Sequence, residues 1–428
     1  MYLNGKKLLI CEEALVDHKG HFQSWIKAIR KMHLDAGATV FVAGNKDVSP
    51  EVRDDLCVLP VYTVNSWNQA VAGRLSAWRR YLHVFAQNWR VFWQTRESLK
   101  ATGPVDVVLF TAVRIHHLIG LRVLCAWGLG RKFNRLTCFL LTSSAEYNED
   151  FTEFRFPRQS GLLKAVLRSF AALASDQKVL LAGDSHITCG EYEKLSGVPM
   201  TLFPSPGADL RYERQSDKSS PALVFVMLGV STWDKGIDTF HDAIEMFLAR
   251  NPTKDVKFVL QWGVDCIAPD GIKKHISDQV RGDRRVDLYE RRLTNEEYAD
   301  LFSKSDFIVL PYRKCTYINR ISGVAVEAAV SAKPMIITKN TWLEWAVQEF
   351  GSGVTVPEGC STSLCKAIEE CCANSDDMLR EAAKRAEVAR NYNSAPRYLG
   401  LLWGIRQQES SGFTQSAKDA VLAKSAPL

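Results

Sequence analysis

The chain of 428 residues has no run of about 18 consecutive apolar residues, so nothing in it reads as a membrane-spanning helix. No Gly-x-Gly-x-x-Gly turn follows the first strand-like run. CEEALVDHKGH stands there instead, which argues against a nicotinamide oxidoreductase. No cluster of acids has the spacing of a divalent-cation site, and the chemistry expected here runs without a metal. The 11 cysteines are scattered and odd in number, which argues against a fully paired disulfide framework and fits a reducing cytoplasmic compartment. Cys360, Cys365, Cys371 and Cys372 cluster without the paired CxxC spacing of a zinc site, and SLCKAIEECC reads as a helix burying them as small apolar side chains. Charge of one sign is scarce too. The 54 basic and 48 acidic residues leave +6, too mild to imply a nucleic-acid partner. The opening MYLNGKKLLICEEALVD has no small-residue cleavage site after its short apolar run, and is expected to be a first strand rather than a signal peptide.

What is present is alternation. KKLLICEE, TVFVAGN, DVVLFTA, LTCFLLTSS and KVLLAGD read as buried strands, separated by helical stretches. These stretches are HFQSWIKAIRKMHLDAG, the region 67–100, His116–Trp127 and Ser160–Ser175, and ITCGEYEKLSG follows the last strand. A polar, proline-bearing stretch then intervenes, and the pattern restarts with ALVFVMLG, KFVLQWG, VDLYE, DFIVLPY and MIIT. Such alternation predicts an α/β protein of two Rossmann-like domains with parallel sheets facing across a cleft. The expected division is 1–204, a linker at 205–221, a second domain at 222–390, and a C-terminal helix with a frayed tail at 391–428.

The most informative stretch runs from Pro311 to Glu344. Ser322 and Gly323 stand at the start of the helical run GVAVEAAVSA, where free N–H groups and the helix dipole favour a phosphate. Ser322 also suits a cap, and both roles use the same amides. Glu327 follows about one turn later, within reach of the ribose hydroxyls of a nucleotide held there. Pro334 ends the helix before the strand MIIT.

At these residues the chain resembles the GT-B glycosyltransferases, and within them the retaining glycosyltransferase family 4. The patches LGVSTWDKG, LTNEEYADLFSKSDFIVLPY, RISGVAVEAAVSAKPMIIT and FGSGVTVPEG carry the likeness. DHKGH after the first strand and LAGDSHITCGEYEKLSG before FPSPG add to it in the first domain. The resemblance implies transfer of a hexose from a nucleotide diphosphate sugar to a hydroxyl acceptor, a glycan or lipid-linked saccharide, with retention and no further cofactor. It also implies that the C-terminal helix packs back towards the first domain. The family's paired glutamates correspond here to Asn319 and Glu327, so the first carboxylate is replaced by an amide. Gly229, Lys235 and Gly236 match the family's diphosphate-binding patch, but Thr232 and Trp233 occupy the place of an expected arginine. Arg313 or Arg320, both in the loop before the phosphate-binding helix, is expected to supply that charge.

The likeness assigns Glu327, Lys235 and His116 to catalysis. The residues expected to bind substrate are Gly20, His21, Glu146, Gly229, Thr232, Asn319, Arg320, Ser322 and Gly323. His116 and His117 both follow DVVLFTA, and His116 is preferred, though either also reads as structural. Glu146 suits orientation of an acceptor hydroxyl or a solvated loop, and His21 suits the cleft or the surface. The region 67–100 carries six Arg or Lys, one acid and seven aromatics. Trp78, Tyr81, Leu82, Phe85, Trp89, Phe92 and Trp93 fall at helical spacing. They read first as a helix packed on its own domain, alternatively as one lying on an anionic membrane. A hexose-nucleotide epimerase and a non-catalytic sugar-nucleotide-binding module are the competing functions.

Overall fold

A computed structural model describes residues 2–17, 22–65, 77–206, 212, 222–230, 232–263 and 266–405. Most of the expected linker, the C-terminal tail, and both Gly20 and His21 lie outside the described residues. The first half contains β1 (Lys7–Cys11), β2 (Thr39–Asn45), β3 (Val58–Tyr62), β4 (Val105–Phe110) and β5 (Phe133–Phe139). The short hairpin of β6 (Glu146–Tyr147) and β7 (Phe154–Arg155) follows, then β8 (Val179–Gly183) and β9 (Thr201–Leu202). The second half contains β10 (Leu223–Met227), β11 (Val256–Gln261), the hairpin of β12 (Cys266–Ile267) and β13 (Lys273–Lys274), β14 (Val286–Tyr289), β15 (Phe307–Leu310), β16 (Met335–Thr338) and β17 (Gly353–Val356).

The strands form two parallel sheets, ordered β3-β2-β1-β4-β5-β8-β9 and β14-β11-β10-β15-β16-β17. Helices cover both faces, so strands such as FIVL in β15 and MIIT in β16 are buried throughout. In each sheet the order reverses beside the first strand, between β1 and β4 and between β10 and β15. Loops leaving the carboxyl ends of those strands diverge and open a crevice, the place where doubly wound sheets bind ligands.

Three apolar clusters hold this frame. One fills the second half, with Phe225, Phe240, Phe258 and Ile337 among its members. The other two lie on opposite faces of the first sheet. Tyr398, Leu399 and Leu402, from the helix Ala395–Trp403, belong to one of these, and Arg135 Nη1 donates to Leu402 O at 3.0 Å. The helix Ala395–Trp403 therefore packs back on the first sheet, as expected. Residues 375–403 form two helices, Ser375–Tyr392 and Ala395–Trp403. Pro396 sits in the first turn of the second, where its missing N–H is harmless, and Ser394 caps it by accepting from Arg397 N at 3.3 Å.

The stretch Ser160–Ser175 likewise divides, into Ser160–Arg168 and Ala171–Ser175. Cys365 and Cys371 are buried in the core, while Cys360 and Cys372 are only partly covered. The aromatic region forms the helix Ala77–Thr102. Its packed face carries Val91, Phe92 and Leu99, but Leu82, Phe85 and Trp89 are at least half exposed, which departs from a helix packed on all its aromatics.

Candidate functional site

The loops after β10 and β15 meet at Gly236. This residue has φ +71°, and a Cβ there would lie 2.1 Å from Pro311 O, so only glycine permits the approach. Arg313 fastens the junction. Its N–H donates to Asp234 O at 2.8 Å, its guanidinium stacks 4.1 Å above the Trp233 ring, and Nη2 meets Asp238 Oδ2 at 2.5 Å. Arg313 is thus committed to the loop junction and does not supply the missing charge at the Ser322 amides. The other expected cation, Arg320, is placed better. It acts electrostatically on Lys235, Tyr317 and Asp184.

Lys235 lies half-buried with Nζ 5.8 Å from the Tyr312 ring, and a Cβ on Gly229 would sit 3.4 Å from Nζ. Burial lowers its pKa; Asp234 opposes that lowering and Arg320 adds to it. The Tyr312 hydroxyl lies beside the side chain of Ser322, which opposes the rise that burial gives its pKa. Ser322 in turn caps the helix Gly323–Val330 by accepting from Ala325 N at 3.3 Å. Nothing stands within 4 Å of the place a Gly323 Cβ would take, so space is open at this helix start. Tyr312 thereby lies between Lys235 and a helix N-terminus, with Arg320 acting on Lys235, an arrangement suited to a diphosphate.

Glu327 lies one turn along the same helix and accepts from Tyr298 Oη at 2.7 Å. Burial raises its pKa, with the Tyr298 hydrogen bond opposing. Such a carboxylate gains from further hydroxyl donors, because each offsets part of its desolvation. Tyr298 sits on the capped helix Asn295–Lys304, and nothing in the sequence pattern pointed to it.

Other expected residues are placed differently. Thr232 donates to the Asp234 carboxylate, so its hydroxyl stabilises the loop. Asn319 turns towards the first domain, where Nδ2 donates to Glu191 Oε1 at 3.2 Å and its carbonyl accepts from Thr188 Oγ1 at 3.3 Å. Glu191 is buried, also accepts from Tyr147 Oη, and keeps Oε2 without a partner. His186 stacks on Trp345 at 4.6 Å across the same seam. Asp184, pushed up to about 7 by burial with Arg320 opposing, lies there too. Glu146 is turned outward on its hairpin and pairs with Arg155 at 3.3 Å, while the next residue, Tyr147, reaches inward to Glu191.

Of the two histidines, His117 is the more confined. Its Nδ1 accepts from Arg114 N at 3.1 Å, and Nε2 lies 3.1 Å from Glu13 Oε1. His116 packs against the His83 ring at 5.9 Å, and burial first, then neighbouring charge, lowers its pKa to about 4. It is therefore neutral near pH 7, able to exchange a hydrogen bond but not to offer charge. Glu12, buried beside these groups, accepts from Ala14 N at 2.8 Å and Thr111 Oγ1 at 2.5 Å, and burial lifts its carboxyl to about 7. Among the described residues, His241, Asp242 and Glu245 form the one grouping with metal-ligand spacing. Its imidazole is already engaged, by Asp242 at 2.9 Å and Ser277 N at 3.0 Å, and Lys274 neutralises Asp242 at 2.7 Å.

Residues 221–374 match the family model described as Glycosyl transferases group 1, which covers this second crevice wall. No curated protein of known function matches the chain by sequence. Among solved structures, a glycosyltransferase from Rickettsia africae superposes with a TM-score of 0.59 at 14% identity, covering 93% of this chain and 96% of its own. Anabaena HepE in complex with UDP gives 0.59 at 14% identity, over 98% and 100%. Sucrose-phosphate synthase from Thermosynechococcus elongatus gives 0.57 at 13% identity, over 98% and 100%. At these identities the likeness concerns the fold. The chain has the GT-B fold, and residues 221–374 of its second half match the group 1 glycosyltransferase model.

Proposed function

We propose that the protein is a glycosyltransferase that moves a hexose from a nucleoside diphosphate sugar to a hydroxyl of a saccharide or lipid-linked saccharide, with retention and without a metal. The observation that carries this reading is the opening shared by Lys235, Arg320 and the Ser322–Gly323 helix start, with Glu327 one turn beyond. Anabaena HepE, which shares the fold, is in complex with UDP, and the same pyrophosphate chemistry suits this opening. Charge develops on the diphosphate as the glycosidic bond to it breaks. Fixed amides and a half-buried ammonium meet that charge without reorganising. Glu327 accepts from the ribose hydroxyls and so holds the nucleoside in register. His116, neutral and at the carboxyl edge of β4, faces the sugar side as a hydrogen-bonding group.

The experiment is a thermal-shift series on the full chain with UDP, GDP, ADP and their glucose conjugates. Ligand at a hundred times its dissociation constant stabilises the native state by about 2.7 kcal/mol, a shift of several degrees. Product analysis then divides the readings. Acceptor-dependent release of nucleoside diphosphate supports transfer, whereas an epimerised sugar nucleotide or binding without turnover points to the two competing functions. A chain indifferent to every nucleotide at millimolar concentration overturns the assignment.

A further inference from the structure

The helix Ala77–Thr102 presents a face that the crevice chemistry does not use. Leu82, Phe85, Trp89 and Trp93 recur at intervals of four and three residues and share one side. Leu82 is 58% exposed, Phe85 50%, Trp89 59% and Trp93 38%, with Tyr81 beside them at 46%. Val123, on the neighbouring helix Ile115–Gly128, adds 42% exposure to the same surface. A contiguous row of large apolar side chains is unusual on a protein surface, where such residues are normally scattered.

The surface has a definite shape. Gly120 lets the two helices touch: a Cβ there would lie 2.2 Å from Asn88 O, and Gly120 N donates to Asn88 Oδ1 at 2.9 Å. Beside this crossing, Phe85, Trp89, Phe92, Ile119 and Val123 line a shallow apolar recess of about 90 Å³. The stripe then turns basic. Arg96, one turn past Trp93, lies 4.6 Å from the Trp93 ring and 5.3 Å from the Trp127 ring. Arg131 donates to Trp127 O, and exposed Arg90 flanks Trp89. The acid on this helix, Glu97, is held by Lys100 at 2.8 Å. Apolar residues at the centre, indoles beside them and guanidinium groups at the edge match the layers of an anionic bilayer surface, with acyl chains, headgroup level and phosphates in that order.

The placement also has a consequence for the crevice. The N-terminal half of the helix lies against the first turn of the helix Ile115–Gly128, which follows β4, with the His83 and His116 rings 5.9 Å apart and Asn88 Nδ2 donating to Ile115 O at 2.9 Å. We infer that this face seats the protein peripherally on an anionic lipid surface, with Leu82, Phe85, Trp89 and Trp93 at acyl-headgroup depth, Arg90, Arg96 and Arg131 on lipid phosphates, and the edge of the first-domain crevice next to the bilayer. An acceptor carried on lipid reaches the crevice from that edge without leaving the membrane. The docking itself depends only on the surface and not on the donor chemistry.

The test is cosedimentation of the full chain with phosphatidylcholine vesicles containing about 25% phosphatidylglycerol. The wild-type protein is expected to pellet with these vesicles at low salt, to be released by high salt, and to stay in solution with pure phosphatidylcholine. Trp89→Ser/Trp93→Ser is expected to weaken binding by about tenfold or more. Arg90→Gln/Arg131→Gln is expected to weaken it and flatten its salt dependence. Quenching of wild-type tryptophan fluorescence by lipids brominated near the headgroup gives a readout that needs no variant. Wild-type protein that stays in solution with the anionic vesicles overturns the inference. So does equal binding by the folded tryptophan variant, or a face that proves to be covered by a second copy in sedimentation equilibrium.

Discussion

Glu327→Gln is the sharpest single perturbation of the proposed donor site. The amide oxygen still accepts from Tyr298 Oη, which now stands 2.7 Å from the carboxylate, so the local hydrogen bond survives. Because burial raises the Glu327 pKa, ionisation is already disfavoured in the folded state, and removing the charge is expected to leave stability unchanged or slightly higher. Glu327→Ala is different: it strands the Tyr298 hydroxyl and costs about 1–3 kcal/mol. Binding is expected to move the other way. A charge-assisted hydrogen bond to a ribose hydroxyl is worth about 1.5–3 kcal/mol against about 0.5–1.5 for a neutral one, so the glutamine variant loses roughly five- to tenfold in affinity for the nucleoside diphosphate and its sugar alike. Calorimetric titration with the ribonucleotide and its 2′- and 3′-deoxy analogues closes a thermodynamic cycle. The analogue lacking the contacted hydroxyl should bind wild type and Glu327→Gln almost equally. If the variant binds the ribonucleotide as tightly as wild type, the carboxylate does not touch the ligand and the placement of the donor is wrong.

Gly236→Ala forces a Cβ to 2.1 Å from Pro311 O at φ +71° and is expected to cost about 3 kcal/mol or more. An unchanged urea midpoint would show that the loop junction is not rigid. Glu12, lifted to about 7 by burial, retains its proton in the folded chain over a range where the unfolded carboxyl has lost it. Its contribution to stability is therefore complete below about pH 4.5 and is lost as pH rises through about 7, a change of about 3 kcal/mol at most. Glu12→Gln should flatten that part of the pH profile measured by urea unfolding between about pH 5 and pH 8, and an unaltered slope refutes the assignment. Asn319→Asp sets a second carboxylate beside Glu191, now 3.2 Å from the Asn319 amide. It is expected to destabilise by about 2 kcal/mol near pH 8 and to recover near pH 5, when the pair takes up a proton. Equal loss at both pH values would deny the repulsion.

Legibility in the sequence followed the length scale of each signal. TVFVAGN and MIIT coincide with β2 and β16, because continuous apolar runs between turn residues are what buried parallel strands require. The capped start at Ser322 was equally plain, since hydroxyl, glycine and apolar helix are contiguous. Weaker patterns were lost. β3 contains Pro60, which breaks the run, and the structure tolerates it because β3 is the edge of its sheet. Side-chain direction was the other failure. Glu146 and Tyr147 are neighbours on a strand and so face opposite ways, and it is the tyrosine that points inward. His116 and His117 lie about 100° apart around a helix, and only packing decides which one meets Glu13. Arg313 and Arg320 are alike in sequence, yet Asp238 claims the first.

The departure at Asn319 has a physical reason in its surroundings. Its side chain faces Glu191, a buried carboxylate from the first-domain helix His186–Ser196, and not open solvent. A carboxylate at position 319 would bring two like charges together where water is excluded, so one must be neutralised or the segment must move. An amide removes the conflict and donates a hydrogen bond as well. The same segment carries two further cross-domain contacts: Thr188 Oγ1 to the Asn319 backbone carbonyl, and Arg320 acting on Asp184. Three residues past Asn319 the backbone reaches Ser322 and the amides at the start of the helix Gly323–Val330. The loop proposed to form the anion site therefore also contributes to the seam between the domains. A substitution at 319 that restores a carboxylate alters both at once, and its effect on donor choice can be separated from its effect on domain docking only by changing Glu191 with it.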